Sequence, residues 1–284
     1  MATKKAASSA KKSGHNKPNA AKQTTTKVTT VKAVESHPTK HVEAASKKPK
    51  KTGLNGTSLF ITAIAEFLGT FVFAATIIAG QDQPILALFA LVGVVLVFGT
   101  ISGAYVNPAL VLGAWITRRI DSVRAVVYIV AQVLGAMLAL VVLNTYINAA
   151  PAASATDIYS TATELFKAAT LPSGKEWYVF FSEFIGMLIF GFAAASVVSA
   201  KKDRIISSLT MGLGVFLGLM IAGSASVVVG ANAILNPAVA VSLQAINFTS
   251  VWPTVVYIVG ASLGAIIGYI LYDLLRTTEE NQNA

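Results

Sequence analysis

The chain has 284 residues, 54% of them hydrophobic and only 12% charged, and its mean hydropathy of +0.65 is that of a polytopic membrane protein. Residues 1–51 hold 13 Lys and 2 Glu, a formal +11, so the rest of the chain carries a net −2 and the pI near 9.7 describes a tail. There is no Cys, and all three His (His15, His37, His41) lie in that tail. Disulfides, thiolate metal sites and imidazole catalysis in the body are therefore excluded, and an enzyme is not expected.

Residues 1–58 are rich in Lys, Ala, Thr and Ser without apolar periodicity, and are expected to be a disordered cytoplasmic tail. The stretch lacks the apolar region of a signal peptide and the arginines of a transit peptide. Its charge suits anionic lipid headgroups. Nucleic acid is the weaker partner, because no aromatic residue interleaves the lysines.

Apolar stretches of bilayer-crossing length, about 20 residues, are predicted at 59–80 and 84–103. The triplet Asn107-Pro108-Ala109 follows, opening a shorter apolar run over about 107–117. Further spans are predicted at 123–145, 177–199 and 205–225. A second triplet, Asn236-Pro237-Ala238, opens a second short run over about 236–247, and a last span covers 252–273. Each triplet has the chemistry of a helix start. The Asn side-chain carbonyl accepts from an orphan N–H, and Pro at the first helical position gives up a donor that had no partner. At ten to twelve residues the two short runs cannot span, and they suit re-entrant half-helices, which are tolerated only where they line a protein-walled, wet cavity.

The two halves repeat. Val126–Ala136 matches Val255–Ala265 at eight of eleven positions with an offset of 129, the offset that also relates the triplets. Ala65-Glu66-Phe67 and the residues after it match Ser182-Glu183-Phe184 at an offset of 117. With three spans per repeat, about 59–145 and 177–275, the second half enters the membrane inverted, which places a shared site at the midplane. Arg118, Arg119, Arg124, Lys201, Lys202, Arg204 and Arg276 all fall on the face of the Lys-rich tail, expected to be cytoplasmic for both termini. Glu66 and Glu183 occupy equivalent intramembrane places, and such carboxyl groups mark a buried network or a function. Gly69, Gly135, Gly186 and Gly264 are read as sites of close helix approach.

These residues resemble the aquaporin and aquaglyceroporin (major intrinsic protein) family: Ala65-Glu66-Phe67-Leu68-Gly69-Thr70, Ser102 to Ala109, and Gly230 to Ala238 carry the likeness. The resemblance covers about residues 58–275. It implies an all-α membrane fold of six transmembrane helices and two re-entrant half-helices, and a homotetramer in the cell membrane with one pore per subunit. It implies passive conduction of water and small neutral solutes such as glycerol, urea or ammonia, without a cofactor or metal. Glu66 and Glu183 would hold the triplet loops. The domain plan is then a tail over 1–58, a channel over 59–275 and a short cytoplasmic end over 276–284.

The chain also departs from the family pattern. Val239 stands where an Arg nearly always follows the second triplet, and Tyr105 where His is common. Counting from the triplets, the constriction falls at Ala87, Leu219, Ala233 and Val239, apolar side chains that leave backbone carbonyls as the main polar handles. Ala240 stands where glycerol conductors carry Asp, which favours the water-type branch. Two alternatives stay open at this point: a gradient-coupled transporter using Glu66 and Glu183, and a membrane-anchored scaffold whose tail binds nucleic acid or lipid.

Overall fold

The computed structural model describes residues 56–149, 165–199, 203–246 and 250–282. Residues 1–55 of the predicted tail, Lys201, Lys202 and residues 150–164 between the third and fourth spans lie outside these residues, and 56–58, placed in the tail by sequence, open α1 instead. The described residues form helices α1 (Gly56–Ala79), α2 (Pro84–Ser102), α3 (Pro108–Ile116), α4 (Ser122–Ala149), α5 (Glu176–Ser199), α6 (Arg204–Val227), α7 (Pro237–Ser242), α8 (Trp252–Thr254) and α9 (Ala261–Gln282). A π-helical stretch, Val255–Gly260, joins α8 to α9 without a break. Six helices are long and apolar enough to cross a membrane, and their places match the six spans expected from the sequence.

Packing follows the repeat. Helix α1 lies against α2 and α4, and α5 lies against α6 and α9, while α2 meets α6 to join the halves. The half-helices cross over: α3 packs on α9, and α7 packs on α4. Glycine permits the tightest crossings. A Cβ on Gly135 would strike the carbonyl oxygen of Phe67, and one on Gly264 would strike that of Phe184, its repeat equivalent. Gly69 faces Val106 and Gly186 faces Leu235, so the same pairing recurs one turn further along. Outward faces carry apolar side chains such as Phe60, Phe89, Val126 and Phe181, as lipid contact requires. Trp177 and Trp252 meet edge to face, 5.2 Å between ring centroids, where α5 and α8 begin, a position suited to an interfacial aromatic anchor.

One expectation is corrected. The second half-helix ends at Ser242, well short of 247. Gln244 takes a left-handed conformation (φ 57°), and the Ala245 N–H turns back to the Ala240 carbonyl at 3.0 Å. This is the closure that stops a helix irrespective of apolar residues beyond it. Helix α3 ends the same way, with Arg118 at φ 60° and the Arg119 N–H on the Ala114 carbonyl at 2.8 Å.

The tight crossings generate a stability prediction. Gly135→Ala forces α1 and α4 apart and should cost about 1–3 kcal/mol, whereas Gly93→Ala, with nothing within 4 Å of the added carbon, should be neutral or slightly stabilising. Thermal unfolding in detergent of the two variants beside the native chain checks this.

Candidate functional site

The site is built where the two half-helices begin. Asn107 caps α3, its Oδ1 accepting from the Ala109 N–H at 2.9 Å. Asn236 caps α7, accepting from Ala238 N–H at 3.0 Å and Val239 N–H at 3.4 Å. Pro108 and Pro237 each take the first helical position. Both asparagines are buried.

The amide nitrogens link the two starts to each other. Asn107 Nδ2 donates to the Leu235 carbonyl at 2.7 Å, and Asn236 Nδ2 donates to the Val106 carbonyl at 2.9 Å. Each triplet asparagine thus bonds to the residue preceding the other triplet. Its side-chain oxygen works locally and its nitrogen works across the repeat. An amide nitrogen carries two hydrogens, so this link uses one of them, and Met187 Sδ lies 3.9 Å from Asn107 Nδ2.

Holding the loops in this register requires strain. Val106 (φ 42°) and Leu235 (φ 56°) sit in left-handed conformations that cost bulky L-residues of order 1–3 kcal/mol each. The intramembrane glutamates hold both. Glu66 accepts from the N–H groups of Tyr105 (3.0 Å) and Val106 (2.8 Å). Glu183 accepts from Ile234 (2.6 Å) and Leu235 (3.0 Å). Both carboxyl groups are fully buried and engaged by the loops. Glu66 also accepts from Gln132 Nε2 at 2.7 Å and from the Ser102 side chain. Ala261 occupies the place equivalent to Gln132, so the second repeat lacks that brace. Two tyrosines at equivalent places pin the loop entrances, Tyr128 to the Ser102 carbonyl at 3.1 Å and Tyr257 to the Asn232 carbonyl at 3.4 Å.

Gln132, Ser102, Tyr128 and Tyr257 escaped sequence reading as site residues. For Gln132, Tyr128 and Tyr257, a polar side chain inside the matched segments Val126–Ala136 and Val255–Ala265 was the signal available. The four constriction candidates Ala87, Leu219, Ala233 and Val239 are all buried within one apolar core. Gly218 abuts Leu235, with 3.0 Å between an added Cβ and Leu235 Cδ1, so the turn of α6 that carries Leu219 stands beside the second triplet. Ala222 and Ser226 continue the buried face of α6 beyond it.

The two mouths differ. At the Arg-rich face a cavity of about 390 Å³ is lined by Ser102, Tyr105, Arg119, Arg124 and Arg204 among others. Arg119 is held by Asp273 through two bonds of 2.6 and 3.1 Å and lies over the Tyr269 ring, 5.0 Å from its centroid. At the opposite face, residues 165–171 are stitched across the loop ends. Phe166 N–H donates to the Ile78 carbonyl, Ala168 N–H to the Leu243 carbonyl and Ala169 N–H to Asn232 Oδ1. Asp82, in the turn between α1 and α2, shares a hydrogen bond with Asn232, and burial pushes its carboxyl up to about 7.

Known proteins are similar to this chain over most of its length. Residues 53–272 match the family model described as Major intrinsic protein. The chain is 31% identical over 235 residues to Aquaporin NIP1-1 of Zea mays, covering 76% of this chain and 75% of that protein. It is 30% identical over 236 residues to Aquaporin TIP1-2 of Zea mays, covering 75% and 85%. A shorter match of 94 residues, 30% of this chain and 44% of the relative, is 37% identical to Glycerol uptake facilitator protein-like 6 of Lactiplantibacillus plantarum. The fold is similar to the X-ray structure of the aquaglyceroporin from Plasmodium falciparum, with a TM-score of 0.56, 22% identity and coverage of 76% of this chain and 96% of that one.

Two predictions follow from the supports. Glu183→Ala leaves two buried loop N–H groups without an acceptor, at about 1–3 kcal/mol each. Thermal unfolding should therefore rank native above Glu183→Gln and Glu183→Ala lowest. For Asp82, the folded chain holds the proton more tightly than the unfolded one, so its contribution to stability falls as pH rises from 3.8 to about 7. Asp82→Asn should flatten that part of the stability-against-pH curve measured in detergent.

Proposed function

Since the chain belongs to the major intrinsic protein family, we propose that its paired half-helices bound a lumen that passes uncharged molecules and turns cations back. Members of this family are channels, and this one is a passive, multi-pass membrane channel for water and small solutes. The observation that carries the mechanism is the head-to-head meeting of α3 and α7 through their capping asparagines.

The physics runs from the helix starts. Aligned peptide dipoles place partial positive charge at a helix N-terminus, and here two such ends converge on one point. A cation losing its hydration shell there meets an opposing field, while a neutral molecule does not. The second hydrogen of the Asn236 amide faces the lumen and donates to a permeating water oxygen, while that of Asn107, directed at Met187 Sδ, exchanges this weak acceptor for the water. That water turns its own hydrogens outward, which breaks a continuous proton-conducting file. Glu66 and Glu183 serve as loop supports, since their oxygens are engaged by loop N–H groups.

Ala87, Leu219, Ala233 and Val239 form the selectivity constriction. Without an Arg at position 239 the narrowest point lacks a fixed charge and a fork of donors, so a wider and more apolar opening admits small neutral solutes beside water. Glycerol, urea and ammonia are the solutes of that size and polarity. The channel domain spans 59–275, and four copies assemble as a homotetramer with a pore in each. The Arg-rich face and both termini are cytoplasmic in the cell membrane, as the distribution of basic residues favours. The Lys-rich segment 1–51 contacts anionic lipid headgroups.

Stopped-flow light scattering of proteoliposomes with water, glycerol, urea and ammonia tests this reading. Shrinkage faster than in protein-free vesicles is expected for water and for at least one solute; rates equal to lipid alone contradict it. Val239→Arg should keep water flux and reduce the flux of the larger solutes several-fold.

A further inference from the structure

The arginines at one mouth are more than a topological signal. Orienting the chain requires only a count of basic residues on one side, whereas here they converge on a single cavity. The ends of α2, α5 and α6 and the link between α3 and α4 all border it.

The acids nearest these arginines already accept hydrogen bonds. Asp121 accepts from the Arg124 backbone N–H at 3.0 Å. Asp203 caps α6, accepting from Ile205 and Ile206, and both Asp273 oxygens bind Arg119. Arg124 and Arg204 form no ion pair among the described residues, and Arg124 Nε is buried without a hydrogen-bond partner. A buried charged donor left unpaired is costly. The ligand that relieves it carries several acceptor oxygens and negative charge, the chemistry for which guanidinium groups are suited. A second cavity of about 480 Å³, lined by Trp115, Arg118 and Asp121 among others, shares Arg119 and Arg124 as its wall, three arginines against one acid.

We propose that this mouth is an oxyanion site that takes a phosphate or pyrophosphate group between Arg124 and Arg204, and that its occupant closes the conduction path. The cavity wall includes Tyr105, two residues before Asn107 on the loop that leads to the half-helix meeting point. A phosphate group lodged there lies in the route of water, so binding and block are one event. The inference rests on the channel reading for its effect on flux, but not for binding.

The test uses the full chain in proteoliposomes. Water flux is measured with and without millimolar inorganic pyrophosphate on both sides, and separately in vesicles containing phosphatidic acid without pyrophosphate. The native chain and Arg118→Gln, which removes a charge from the same face but not from this cavity, should lose flux several-fold on addition of the anion. Arg124→Gln and Arg204→Gln should lose that sensitivity. A drop with pyrophosphate identifies a soluble anion, and a drop confined to phosphatidate vesicles identifies a lipid headgroup; either supports the site. Where the native chain conducts faster than lipid alone, unchanged flux with both probes overturns it, as does an equal drop in the Arg124→Gln/Arg204→Gln double variant. Thermal unfolding in detergent with pyrophosphate reads binding directly. An upward shift that the double variant lacks supports the site even where no flux exceeds lipid alone, an outcome that would instead defeat the channel reading. No shift in the native chain, together with unchanged flux, overturns the site.

Discussion

Two hydrogen bonds, from Asn107 to the Leu235 carbonyl and from Asn236 to the Val106 carbonyl, tie the halves of this molecule together at its centre. Neither half-helix could end in mid-bilayer alone, because its free N–H groups would face lipid. Capping satisfies part of that demand within each loop. The crossed amides convert two separate helix starts into one polar point. Strain at Val106 and Leu235 is the cost, and the paired contacts of Glu66 and Glu183 offset it with charge-assisted bonds to the same two loops. Triplet, strained residue and carboxyl group therefore form one unit that occurs twice.

The repeat explains why so much is shared between the halves, and its breaks locate the specialisation. Gly135 and Gly264 meet equivalent carbonyls, and Tyr128 and Tyr257 pin equivalent loop entrances. Gln132 has no counterpart, so the first loop is braced more heavily than the second. The mouths diverge further. One has Val239 where a fixed charge is the family habit, and the other gathers arginines around Tyr105. Positive charge is thus concentrated at the cavity beside Tyr105, while Val239 lies in the buried apolar core.

Much of this architecture was legible from residues alone. Span length exposed the six crossing helices, and cap chemistry exposed the two half-helices. The offsets of 117 and 129 exposed the inverted repeat. What stayed hidden depends on register between distant segments. The crossed amides join residues 128 and 130 positions apart, and no local pattern encodes such a pairing. The early end of α7 was hidden for another reason. Apolar residues continue past Ser242, and the stop comes from a left-handed Gln244, a residue with no strong turn preference. Arginines read as a charge count became a cavity only when the ends of separate helices were brought together.

The direct test of the central claim replaces the crossing donors while keeping the caps. Aspartate retains the capping oxygen of asparagine but loses its N–H groups and brings negative charge to the meeting point. Cation current across planar bilayers, recorded beside water flux in vesicles, should be absent in the native chain. It should appear in the Asn107→Asp/Asn236→Asp variant. Cation current through the native chain, or none through a variant that still conducts water, would contradict the account.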